Sequence, residues 1–134
     1  MQSVISTASL ISTHENLGDL FALVVRAGRS GDWVTGDKVG ETFAIALDVH
    51  LRHEETVQFP RYQATSLEAA EEVEHFVEEH GKIRRRVGRL LANLRLNRFD
   101  EGVAEEIVHL LRQHDAREGR RFQPWLSSFG LSAG

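Results

Sequence analysis

The chain contains no cysteine. Disulfides, thiolate metal ligands and thiol catalysis are therefore excluded together, and a reducing compartment suits such a protein. Proline is nearly absent, with only Pro60 and Pro124, so long segments are free to be helical. No stretch approaches the ~20 apolar residues that a membrane span requires. The first residues lack the basic start and apolar run of a secretory signal. These absences lead us to expect a soluble, cytoplasmic protein with no membrane partner. An excess of positive charge is missing too: the net charge is −4 with neutral histidines. A nucleic-acid binder would need a clustered basic face. The one basic run, Arg84-Arg85-Arg86, follows Glu78 and Glu79 by a turn and reads as a solvated, ion-paired helix face. No nucleic-acid partner is expected.

What the chain has in plenty is histidine, seven in 134 residues. That length suits one compact domain with a real core. We read a single domain over residues 1–134, with a bundle over about 9–123 and a short C-terminal tail whose Trp125 and Phe129 pack back on it. Trp33 reads as packing at a bundle end.

Apolar residues recur at helical spacing in four segments, without strand alternation. The first runs from Ser9 to Ala27, with Leu10, His14, Leu17, Phe21 and Val24 on one stripe. The second runs from Asp37 to Phe59, with Phe43, Leu47, His50, Glu54 and Val57. The third, Ser66 to Leu96, aligns Val73, His80, Ile83, Val87, Leu90 and Leu94. The fourth, Asp100 to Phe122, aligns Val103, Ile107, Leu110, His114 and Glu118. Gly28, Gly31 and Gly36 should break the chain after the first segment, and Pro60 should stop the second. Ser66 and Asp100 are placed to cap the third and fourth. Short connections favour antiparallel neighbours. The fold class is therefore all-α, an antiparallel up-down-up-down four-helix bundle.

Every segment places a histidine on its core stripe, where Leu, Ile or Val would be ordinary. Two stripes add a carboxylate one turn later, as His50/Glu54 and His114/Glu118. At this spacing the two side chains share one helix face. Buried acids are usually paired or bound to metal. Facing helices that carry His and Glu can build a di-metal site in a bundle core. Hairpin geometry adds a test. The midpoint between His14 and His50/Glu54 falls at residues 32–34, that between His50/Glu54 and His80 at 65–67, and that between His80 and His114/Glu118 at 97–99. Each midpoint falls at a turn, so His14, His50, Glu54, His80, His114 and Glu118 should share one level. A lone stripe histidine is more often a satisfied core residue. Six groups at one height favour metal over that reading. His53, His75 and His109 lie off the stripes and read as solvent-facing, His75 among Glu79, Lys82 and Arg86.

The pattern resembles the hemerythrin-like superfamily, in its HHE cation-binding branch. The matching pieces are His14-Glu15-Asn16-Leu17, His50-Leu51-Arg52-His53-Glu54-Glu55 with Phe59-Pro60, Glu79-His80, and His114-Asp115-Ala116-Arg117-Glu118 with Phe122 and Pro124. The resemblance implies a four-helix bundle around two non-haem irons bridged by carboxylates and an oxygen species. Manganese or zinc would suit the same donors. No catalytic side chain is singled out. The implied role is binding of dioxygen, nitric oxide or peroxide in sensing, in catalase-like or nitric-oxide-directed detoxification, or in oxygen and iron handling. The alternative is a non-catalytic, iron-buffering bundle. The chain is expected to act as a monomer or homodimer.

The oxygen-carrying relatives place a second histidine one turn from the first on the third helix. Here those positions hold Phe76 and Arg84. They also use an acid five residues after the last histidine, where this chain has Gly119. About twelve positions surround two six-coordinate irons, and these ligands with a bridging oxygen leave about two open. That favours redox exchange over reversible carriage. Glu15, Glu55 and Tyr62 are the candidates to swing in as the missing ligand.

Overall fold

The computed structural model describes residues 14–117, with side chains from residue 17 onward. The elements are α1 (His14–Ser30), α2 (Trp33–His53), a π-helical turn (Glu54–Gln58), the short α3 (Phe59–Gln63), α4 (Leu67–Arg95) and α5 (Glu101–Arg117). Backbone angles stay right-handed helical at His53, Glu54, Gln58 and Phe59, so α2, the π turn and α3 form one continuous rod. Four rods result, with no strand among the described residues. Phe21 against Phe43, Arg84 against Asp48, and Arg86 against Glu106 show successive rods running antiparallel. None of the described helices is long and apolar enough to cross a membrane.

The helix starts follow side-chain chemistry. Ser66 Oγ accepts the Ala69 N–H at 2.9 Å, and Asp100 Oδ1 accepts the Val103 N–H at 3.2 Å. Both caps match the sequence reading. A third, Asp32 accepting from the Thr35 N–H, starts α2 at Trp33, four residues before the expected Asp37. Of the three glycines expected to break the chain, only Gly31 does so, at φ +74°. Gly28 and Gly36 are buried inside helices. Gly28 lets the Phe99 ring lie directly on the α1 backbone, where a Cβ would strike it. Gly18 has open space in the same helix. Opposite signs are therefore expected from one substitution in one helix. Gly18→Ala should gain up to about 1 kcal/mol from helix propensity. Gly28→Ala should lose about 1–2 kcal/mol, because overpacking outweighs that gain. Thermal melts of the two variants that move in the same direction would refute this packing.

Pro60 does not stop the second rod, which continues to Gln63. In a regular helix the proline ring would meet the carbonyl four residues back. Here the wider π turn precedes it, closed by the Phe59 N–H to the Glu54 carbonyl. The extra residue in that turn also rotates the side chains beyond it. Val57, expected on the core stripe, is 41% exposed, while Gln58, Phe59 and Tyr62 turn inward.

Among the described residues the core divides into two clusters. The larger joins Leu17, Phe21 and Val24 with Phe43, Leu47, Ile83, Leu90 and Ile107. Trp33 packs against its edge, as expected. The smaller holds Phe59, Tyr62, Ala69, Val73 and Phe76. Along the second rod and α4 the apolar stripe is interrupted between these clusters, and the interruption is polar: His50, Glu54 and His80.

Candidate metal centre

Three rods supply the side chains at the interruption. His50 comes from the last turn of α2, Glu54 from the π turn, His80 from the middle of α4 and His114 from the last turn of α5. Glu54 and His80 are 0% exposed, His50 and His114 2%. Glu54 Oε1 lies 3.0 Å from His80 Nε2 and 3.3 Å from His114 Nε2. The two Nε2 atoms are 3.0 Å apart. Glu54, His80 and His114 thus form a buried group whose ligand atoms converge closely enough for one cation. The other oxygen of Glu54, Oε2, faces His50 Nε2 at 3.4 Å.

The outer nitrogens are held as well. Glu55 Oε2 accepts from His80 Nδ1 at 2.6 Å, and Glu79 Oε1 accepts from His114 Nδ1 at 3.0 Å. Arg84 grips Glu55 with two bonds, Nη1 at 2.7 Å and Nη2 at 3.0 Å. Arg117 Nη1 reaches Glu79 Oε2 at 2.7 Å. Burial pushes the Glu55 carboxyl up, but its bonds to Arg84 and His80 outweigh that and hold it below the usual range. Glu79 follows the same pattern: burial raises it, and the His114 bond with the charges of His114, Arg117 and His80 brings it lower. Asp115 beside the centre is different. Burial pushes it up to about 6, against the opposing charges of His114 and His50.

Apolar walls fix the imidazoles. The Phe59 ring lies 5.3 Å from that of His80, and Phe76 meets His114 edge-on at 5.8 Å. Phe76 is one of the positions where the oxygen carriers would hold a further histidine. Arg84, the other, ties Glu55. Neither is a ligand here.

Four of the six residues picked from the sequence are thus brought together: His50, Glu54, His80 and His114. The side chain of His14, and all of Glu118, lie outside the described residues, as do the side chain of Glu15 and the tail with Trp125 and Phe129. His75 and His109 are exposed as expected, whereas His53 is half-buried. Two of the candidates for the missing ligand are engaged elsewhere in this structure. Glu55 does not point at the Nε2 side of the cluster but stands behind His80. Tyr62 is turned away, its hydroxyl donating to Glu72 Oε1 at 2.9 Å. One expectation is corrected: the spacing puts Glu79 on the charged face with His75, Lys82 and Arg86, yet it is 8% exposed and bonded to His114. Its adjacency to His80 on a wide buried face was the available signal. Its arginine partner on another helix left no trace in local spacing.

Comparison with known proteins adds one finding. No curated protein and no solved structure matches the chain significantly. The family model of the hemerythrin HHE cation-binding domain matches residues 7–126. That span takes in every described helix, and the chain belongs to the hemerythrin HHE cation-binding domain family.

Proposed function

We propose that this bundle is a non-haem di-iron protein that binds dioxygen, nitric oxide or peroxide at a carboxylate-bridged centre. The supporting observation is Glu54, whose two oxygens face different histidines: Oε1 toward His80 and His114, Oε2 toward His50. A carboxylate so divided suits two cations, one on each side. The donor set also fits. Two imidazole Nε2 atoms at 3.0 Å would repel through their lone pairs, and a shared cation removes that repulsion. Two imidazoles with one carboxylate are a donor set for non-haem iron. His80, His114 and Glu54 would hold one iron. His50 and Glu54 would hold the other, with His14 and Glu118 as the proposed remaining ligands.

When bound, the irons would supply redox chemistry toward small oxygen and nitrogen ligands. The protein's own residues do the rest. Phe59 and Phe76 keep bulk water from the imidazoles, and the helices fix the donors before metal arrives. Glu54 neutralises part of the positive charge of two cations. We favour peroxide or nitric-oxide turnover over reversible oxygen carriage, because Phe76 and Arg84 occupy the positions where a further histidine would close the shell.

Metal analysis of aerobically purified protein is expected to give two irons per chain, with near-ultraviolet bands of a bridged diferric centre. His80→Ala should remove those bands and any turnover of hydrogen peroxide or nitric oxide. Protein that stays metal-free after anaerobic loading with ferrous iron would overturn the reading.

A further inference from the structure

We propose that Glu55 and Glu79 are positioning residues, each clamped by an arginine, that keep a proton on Nδ1 of His80 and His114 and so present both Nε2 atoms to a cation. The metal half rests on the di-iron reading; the hydrogen-bond half does not.

The two arrangements repeat one plan on different helices. A buried imidazole donates from Nδ1 to a carboxylate at 2.6 Å for His80 and 3.0 Å for His114. The carboxylate's arginine approaches from the half-exposed side, Arg84 on Glu55 and Arg117 on Glu79. Exposed Arg–Glu pairs usually contribute little. These differ because the same carboxylates also hold buried ring nitrogens. An ionised carboxylate can only accept, so the imidazole must donate. The arginine bonds mark both acids as the accepting, charged partners: Arg84 donates to Glu55 at 2.7 and 3.0 Å, and Arg117 to Glu79 at 2.7 Å. With Nδ1 committed, only Nε2 remains to bind a cation, and in both rings Nε2 points at Glu54 Oε1. Carboxylates behind metal-binding histidines orient the ring and raise its basicity.

Each clamp also crosses a helix boundary. Glu55, on the π turn, serves His80 on α4, and Glu79, on α4, serves His114 on α5. Ring orientation is thereby tied to the docking of three rods.

The test uses the full chain, metal-free and labelled with ¹⁵N at histidine. His80 and His114 should show Nδ1–H protons that lie downfield and exchange slowly. Glu55→Ala should expose the His80 proton alone, and Glu79→Ala that of His114 alone. Cobalt(II) added by itself should bind each variant about 10- to 100-fold more weakly than the parent. Glu55→Gln and Glu79→Gln, which keep an acceptor and the volume, should fall between parent and alanine variants. Circular dichroism confirms that each variant is folded, and should an alanine variant fail to fold, its glutamine counterpart carries the same comparison. If the parent shows both protected protons but binds no cobalt, the di-iron reading fails and the positioning role stands. If cobalt binds the parent and the folded variants alike, or the protons keep their protection in the variants, the positioning role is overturned.

Discussion

Replacing Glu54 by glutamine is expected to abolish binding of both proposed irons at once. Its two oxygens face both groups of histidines: Oε1 is 3.0 Å from His80 and Oε2 is 3.4 Å from His50. Glutamine keeps the volume but offers one neutral oxygen and two N–H donors. A donor aimed at an imidazole Nε2 takes up the lone pair that a metal needs. The fully buried carboxylate is also a burden on the metal-free bundle, since an ionised acid away from water is costly without compensation. Metal-free Glu54→Gln should therefore melt at or above the temperature of the metal-free parent. The parent should gain from iron, by about 2.7 kcal/mol when free metal is a hundred times the dissociation constant. The variant should gain nothing. His50→Ala removes a donor on one side only, and should keep about half the metal. Full iron content in Glu54→Gln, or a metal-dependent rise in its melting temperature, would sink the bridging role.

The helical repeat and the polar interruptions were legible in the sequence because both are one-dimensional. A 3.6-residue period and a histidine on a stripe need no knowledge of the partner helix. Ser66 and Asp100 were legible for the same reason, since a cap is local. The equal height of His50, Glu54, His80 and His114 followed from turn positions alone. Other features were hidden because they depend on a neighbour or on a shift of phase. The π turn at Glu54–Gln58 adds a residue to one turn, and a stripe drawn at constant period then assigns Val57 to the core in error. Gly28 reads as a breaker until Phe99 is known to lie across it. Glu55 looked like a spare ligand because its place on the rod is next to Glu54. Only the position of Arg84 on the facing helix shows which side of His80 it occupies.

Phe43→Ala is expected to have the largest effect on stability. Phe43 is 0% exposed and packs against Phe21 with ring centroids 5.1 Å apart, joining α1 to α2. Gly36 and Gly40 lie on the same helix and let Ala27 and Leu91 come close to its backbone, leaving the rods little freedom to collapse into a void. A cavity that cannot close costs about 3–5 kcal/mol for phenylalanine to alanine. Total stabilities of about 5–15 kcal/mol make that a large share. The melting temperature should fall by on the order of 10 °C or more. The consequence reaches the metal centre, because Phe43, Leu47, His50 and Glu54 lie along one buried face of a single rod. Loss of Phe43 loosens the seat of α2 against α1, two turns below His50. Cobalt affinity should weaken in Phe43→Ala, while the protected Nδ1–H of His114, held between α4 and α5, should persist in the folded fraction. A drop in melting temperature of only a degree or two would mean that the core around Phe43 is far more adaptable than its packing indicates.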